Sequence, residues 1–142
     1  MFVQNSTDSR RFFMGVRKKM LTQELLQPLE AMIANILNEH PEYNGLLTDE
    51  EKAFSDEYLT NNFDVNPFLH LGLHVALQEQ LDANRPAGIA SIYQSHRMRG
   101  LNDEHQLRHL MMGCLSNSLY KSQTSNAMPD EAEYLECLKC IG

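Results

Sequence analysis

The amino-acid sequence predicts an all-α fold: a single-domain bundle of five or six helices with an irregular wrap around residues 41–65. Apolar residues recur at helical spacing in several stretches, and they are mainly Leu, Met, Ile and Phe, with no Trp. No stretch alternates with period two long enough for a strand. A chain of 142 residues, 42% hydrophobic and 22% charged, suits one globular domain over residues 1–142.

Six stretches carry the helical pattern, each beginning or ending at residues that favour a helix terminus. They run from the Ser6–Ser9 cluster to Met20, from Pro28 to His40, from Asn66 to about Ala83, from Gly88 to Gly100, from Asp103 to Gln123 after an Asn102 cap, and from Pro129 onwards. Between them, a capping box predicts a short helix at Thr48–Glu51. The expected apolar anchors of the wrap are Tyr43, Leu46, Leu47, Phe54, Tyr58 and Phe63.

The charge of the chain is negative overall and basic near its start. A net charge of −7 predicts repulsion from a phosphate backbone, so a general nucleic-acid binder is excluded. Residues 1–20 carry +4, and their basic residues are Arg10, Arg11, Arg17, Lys18 and Lys19. Two interpretations stay open: this helix docks on the protein's own acidic surface, or it contacts an acidic protein partner or another subunit of a homo-oligomer.

No segment has the pattern of a secretory signal or a membrane span, so no membrane partner is expected. Three cysteines do not make an even disulfide framework, and a reducing cytoplasm is therefore expected. Cys137 and Cys140 form a Cys-x-x-Cys pair, but thioredoxin-like chemistry needs a neighbouring strand that the pattern does not predict. We interpret this pair as two incidental cysteines at a frayed helix end.

The strongest chemical feature is Asn66–Gln80, NPFLHLGLHVALQEQ. Asn66 suits the N-cap of a helix and Pro67 its first position, where no N–H donor is needed. In the apolar run that follows, the only polar side chains before Gln78 are His70 and His74. Four residues apart on a helix, two imidazoles share one face at about 5–6 Å between Cβ atoms, close enough to hold one metal ion.

Further histidines can complete such a site. His105 and His109 form a second His-x-x-x-His pair on another predicted helix, and His40 continues the apolar face of the helix from Pro28. The sequence therefore predicts binding of Zn or another transition metal through His70, His74, His109 and either His105 or His40. Three glutamates are candidate acceptors for the second ring nitrogen of a ligand: Glu42, Glu79 and Glu104.

An alternative interpretation needs no metal. The histidines then form a hydrogen-bonded core in a non-catalytic interaction or structural protein, with His105 and His109 on a solvated edge. A helix C-terminus also favours a protonated His40. His96 has no histidine one turn away, so we expect a structural role for it. The sequence lacks the glutamates of His-Glu-x-x-His proteases and of ferritin-like di-iron bundles, and no reaction is predicted.

Several blocks of the sequence resemble one family. They are Arg11-Phe12-Phe13, Pro28-Leu29-Glu30, His40-Pro41-Glu42-Tyr43, Asn66–His74, Glu79-Gln80, Gly88-Ile89, His109 with Met111-Met112, and Pro129-Asp130 with Tyr134. Together they resemble the small proteobacterial proteins of the family labelled DUF1841, a domain of unknown function, over nearly the whole chain. The resemblance implies a compact cytoplasmic protein without a known activity. Four histidines fall within its blocks: His40, His70, His74 and His109.

Overall fold

All regular structure in the described part of the chain is helical. The computed structural model describes residues 7–49, 53 and 66–141, which form seven α-helices and no strand. The helices are α1 (Thr7–Leu21), α2 (Pro28–Glu39), α3 (Asn44–Leu47), α4 (Pro67–Ala83), α5 (Ile89–Arg99), α6 (Glu104–Ser125) and α7 (Glu131–Lys139). A 3₁₀ turn, Pro41–Tyr43, joins α2 to α3. The predicted all-α class is confirmed.

The predicted count of five or six helices is too low, because α3 is a helix of a single turn. One turn is too short to produce a periodic apolar pattern. Leu46 and Leu47 of α3 are buried, as expected for anchors of the predicted wrap. The predicted anchors Phe54, Tyr58 and Phe63 lie outside the described residues, as does the end of the predicted capping box at Thr48–Glu51. The wrap stays a prediction.

Capping residues set the helix boundaries. The Asn66 side-chain oxygen accepts hydrogen bonds from two backbone N–H groups in the first turn of α4, at 3.1 and 3.2 Å. Gly100 ends α5 with a φ of +66°, a conformation that costs glycine little. The N-cap of α6 is Asp103 and not the predicted Asn102, because the Asp103 carboxylate accepts from the Gln106 N–H at 2.8 Å.

The chain divides into two compact units, residues 1–75 and 76–142. In the first unit, α1 packs against α2 and α3 around an apolar core to which the first half of α4 also contributes. The most deeply buried residues of this core are Phe13, Val16, Ile33, Leu37, Leu47, Ala53, Phe68, Leu71 and Val75. The single domain over residues 1–142 stays a prediction.

In the second unit, α6 packs against α5 and α7. Its buried apolar side chains include Ile89, Leu107, Met111, Met112, Leu115 and Leu138. Leu110 of α6 is 46% exposed, whereas Met112 is fully buried. Apolar residues occur on more than one stripe of α6, and spacing alone does not distinguish between adjacent stripes.

The second unit also contains a disulfide bond. Cys114 on α6 is joined to Cys137 near the end of α7, with a Cα–Cα distance of 5.8 Å. Cys140 is a free, exposed thiol. The interpretation of Cys137 as an incidental cysteine was therefore wrong, because its partner lies 23 residues earlier on a different helix and the sequence does not show how the two helices pack.

Two basic side chains of α1 bind within the first unit. Arg10 is buried, donates to the Ala53 carbonyl at 2.6 Å and lies 4.9 Å from the centre of the Phe68 ring. Lys19 donates to Glu30 at 2.7 Å. That hydrogen bond is the main reason why the pKa of the Glu30 carboxyl is lowered.

None of the described helices combines the length and the apolar character that crossing a bilayer requires.

Candidate metal centre

Two of the predicted ligands lie side by side on α4. From Asn66 to Val75 every residue except Leu69 is buried, as predicted for a helix whose apolar residues occur on all sides. His70 and His74 are 7% and 2% exposed, and their ring centroids are 4.9 Å apart. The i,i+4 spacing therefore places both imidazoles together in the interior of the first unit.

His40 reaches the same place from the end of α2. It is the C-cap residue of α2, and its N–H donates to the Leu37 carbonyl at 3.1 Å. Pro41 disfavours helical geometry at the residue before it, so α2 ends here and the His40 side chain turns inwards. His40 is 5% exposed, which confirms the expectation that it lies in or beside the core.

The three rings meet at their Nε2 atoms. His40 Nε2 lies 3.0 Å from His74 Nε2 and 3.2 Å from His70 Nε2. The planes of these rings are inclined to one another by 58–79°, so their edges and not their faces are in contact. One nitrogen of each ring lies within 4.8 Å of those of the other two. We call these three residues the histidine cluster.

Hydrogen bonds between the rings and a bound metal ion are two ways in which this arrangement could satisfy its nitrogens. Each imidazole nitrogen carries either one proton or one lone pair, so His40 Nε2 can make only one linear hydrogen bond to the two nitrogens that face it. Three unprotonated Nε2 atoms that face one point can instead all donate their lone pairs to a cation. The cluster is hydrogen-bonded as it stands, and it could hold a metal ion.

The nitrogen separations also agree with metal coordination. Zn–N bonds of about 2.0–2.1 Å at a tetrahedral angle place two ligand nitrogens about 3.3–3.4 Å apart. The two observed separations, 3.0 and 3.2 Å, are close to this value. Small shifts of buried side chains would therefore accommodate an ion.

Glu42 orients the His40 ring. Its carboxylate accepts a hydrogen bond from His40 Nδ1 at 3.2 Å, and in the neutral ring this tautomer leaves a lone pair on Nε2. A carboxylate on the second nitrogen is the usual arrangement for a metal-binding histidine, because it selects the tautomer and makes the ligand more basic. This hydrogen bond has the geometry expected if Glu42 accepts from the second ring nitrogen of a metal-binding histidine.

The Glu42 carboxyl is held in its ionised form. Desolvation acts to raise its pKa, but hydrogen bonds from its own backbone N–H and from His40, together with the nearby imidazoles, outweigh desolvation and lower the pKa. The Glu42 side chain is 56% exposed, so it links the buried cluster to solvent.

The sequence matches one known family over nearly its whole length. Residues 5–140 match a family described as domain of unknown function, DUF1841. The chain belongs to this family. No curated protein and no solved structure matches the chain. The resemblance to DUF1841 inferred from the sequence blocks is confirmed, and because the DUF1841 description carries no activity, the function must be argued from the site.

Tyr43 is a neighbour of the cluster that sequence reasoning missed as a site residue. In this DUF1841 chain its ring stacks on His40, with centroids 5.2 Å apart and planes inclined by 15°, and it meets the His70 ring edge to face at 6.0 Å. We expected it only as an apolar anchor of the wrap. Its place in His40-Pro41-Glu42-Tyr43, one of the blocks on which the resemblance to DUF1841 was based, was the available signal.

The other predicted site residues lie on α4 and α6 in the second unit. The rings of His105 and His109 are 4.2 Å apart, edge to face, as their i,i+4 spacing predicts. Glu104 accepts a hydrogen bond from the Tyr93 hydroxyl, and Glu79 is exposed. Metal binding by His105 and His109 and the acceptor roles of Glu79 and Glu104 stay predictions.

Proposed function

We propose that this protein binds a transition metal ion through the Nε2 atoms of His40, His70 and His74. The supporting observation is the convergence of these atoms, with His40 Nε2 at 3.0 and 3.2 Å from the other two. Zn is the first candidate, and Ni, Cu and Fe also accept imidazole ligands. The cytoplasmic location expected from the sequence is part of this proposal.

The fourth coordination position decides the kind of site. Structural zinc sites have four protein ligands, whereas catalytic sites have three and keep one position open for water. The sequence predicts His109 as a ligand, and His105 as an alternative to His40. A fourth protein ligand would make the ion structural, and an open position would allow it to activate water.

Metal content of untagged protein tests the proposal. Elemental analysis after purification, followed by calorimetric titration of the chelator-treated protein with Zn and then Ni, should give about one ion per chain. A metal content below about a tenth of an equivalent, together with no measurable affinity for either ion, would contradict metal binding.

Single variants identify the ligands. His70→Ala should lose the bound ion, because two imidazoles remain where three converged. His96→Gln is the matched control: it also replaces a buried histidine, but one whose nitrogens bind elsewhere, and it should keep the ion. His109→Ala tests the fourth position; retention of the ion with unchanged affinity would exclude His109 as a ligand.

The basic face of α1 supports a second candidate function, an interaction with an acidic partner or with another copy of the chain. Arg10 and Lys19 bind within the first unit, whereas Arg11 and Lys18 are exposed. Charge reversal of Arg17 and Lys18 should then weaken association in sedimentation experiments. An unchanged sedimentation coefficient in the double variant would contradict this candidate.

A further inference from the structure

The second unit contains a second group of reactive side chains, separate from the histidine cluster. Cys114 and Cys137 form the disulfide bond between α6 and α7, and Cys140 follows three residues after Cys137. Cys140 is the C-cap of α7 and carries a free, exposed thiol. A disulfide with a free thiol one turn away is the combination that thiol–disulfide exchange requires.

A cavity of about 380 Å³ lies beside the disulfide. Both Cys114 and Cys137 line it, so the two disulfide residues border a space of small-molecule size. Its polar lining includes Asn117, Ser118 and Lys121. The volume is in the lower part of the range of small-molecule sites, about 300–1,000 Å³.

We propose that these three cysteines form a thiol–disulfide exchange site for a small thiol that enters the cavity. The free, exposed thiol of Cys140, three residues from Cys137, supports this assignment over a purely structural disulfide, because exchange needs an accessible attacking thiol.

The exchange needs no oxidant or reductant beyond the small thiol. The thiolate of the small thiol attacks the Cys137 sulfur, a mixed disulfide forms, and the bond between Cys114 and Cys137 breaks. Cys114 leaves as a thiolate and takes up the proton that the small thiol released. The Cys140 thiolate then attacks the Cys137 sulfur, forms a bond between Cys137 and Cys140, and expels the small thiol, which regains a proton.

The end of α7 allows the second step. Residues three apart on a helix have Cβ atoms about 5–6 Å apart, and a disulfide needs about 3.5–4.5 Å. Because α7 ends at Lys139, Cys140 is the C-cap, and closing this gap disrupts only the terminal hydrogen bonds of its N–H, such as the one to the Glu136 carbonyl at 3.2 Å.

The sequence allows a direct test of the exchange. Trypsin cleaves after Arg108, Lys121 and Lys139, and so places each cysteine on a different peptide. The oxidised full-length protein is incubated with reduced glutathione, quenched with acid, alkylated with N-ethylmaleimide and digested. Mass spectrometry then shows which peptides are joined and which carry glutathione.

The wild-type protein should yield peptide 122–139 joined to peptide 140–142, with Cys114 alkylated. The Cys140→Ser variant cannot complete the second step, and should carry glutathione on Cys137 at about ten times the wild-type level or more. The Cys114→Ser variant serves as a control and should form the bond between Cys137 and Cys140 on oxidation in air.

Three results would overturn the proposal. The first is a wild-type protein that keeps only the bond between Cys114 and Cys137, together with a Cys140→Ser variant that gains no glutathione. The second is glutathione on Cys114 in place of Cys137. The third is a Cys114→Ser variant in which Cys137 and Cys140 remain separate thiols.

Discussion

His96 and the histidine cluster are both buried, but the protein satisfies their nitrogen atoms in different ways. His96 Nε2 donates to the Leu138 carbonyl at 2.7 Å, and its Nδ1 accepts a hydrogen bond from Arg99. The donor nitrogen of His96 thus faces a hydrogen-bond acceptor, and the acceptor nitrogen faces a donor. In the cluster, by contrast, His40 Nε2 faces the Nε2 atoms of both His70 and His74.

This difference shows that burial of a histidine does not by itself indicate a binding site. A buried imidazole with one donor and one acceptor partner is complete and needs no ligand. Convergence of the same atom from several rings is an arrangement that could hold an ion, because a cation accepts several lone pairs at once. His96 was expected to be structural, and its hydrogen bonds confirm that expectation.

The largest effect is expected for His74→Ala, which removes a nitrogen that lies 3.0 Å from His40 Nε2. The affinity for Zn should fall by more than about 100-fold, since loss of a ligand costs more than loss of the group that orients it. Competition titration with a chelator of known affinity measures this change. An affinity within a factor of about ten of the wild type would show that His74 is not a ligand.

Glu42→Ala should have the next largest effect. Without the carboxylate, His40 Nδ1 loses its acceptor and the ring is no longer held in the tautomer that presents Nε2. The Zn affinity should fall by about 10–100-fold in the same titration. Glu42→Gln is the control: its amide oxygen still accepts the hydrogen bond, so its loss should be smaller. Equal losses for both variants would contradict the orienting role.

His96→Ala should separate stability from metal binding. It leaves the Leu138 carbonyl without its donor, and the free energy of unfolding should fall by about 1–3 kcal/mol in a urea titration. The ion content should stay at the wild-type level. Loss of the ion from a folded variant would show that His96 belongs to the metal site after all.

Tyr43→Leu should have the smallest effect, because it removes the ring stacked on His40 but no ligand. Aromatic pairs contribute about 0.5–1.5 kcal/mol, so the Zn affinity should fall by about tenfold or less. Tyr43→Phe keeps the ring and should bind Zn as tightly as the wild type. A loss in the phenylalanine variant would instead assign a role to the hydroxyl group.

Local patterns predicted much of the fold. The Asn66 cap, the buried run of α4 and the end of α2 before Pro41 all follow from interactions within a few residues, and all are observed. The pairing of His70 with His74 was predictable for the same reason, since i,i+4 spacing alone places two rings together.

Contacts between distant segments were not predictable. The approach of His40 to His74 depends on how α2 packs against α4, and the bond between Cys114 and Cys137 depends on the packing of α6 and α7. Periodicity identifies the apolar side of a helix but not its neighbour. The buried position of Met112 was missed because two adjacent apolar stripes on α6 give the same spacing signal.

The position of His40 in the chain also has a consequence for folding. His40 precedes His70 by 30 residues, so an ion bound to both joins the ends of a long loop. A cross-link of this length removes enough conformational freedom from the unfolded chain to stabilise the native state by about 3–4 kcal/mol, by analogy with a disulfide. A bound ion would therefore act as a removable cross-link. Its removal would restore the conformational freedom of the unfolded chain between the two histidines.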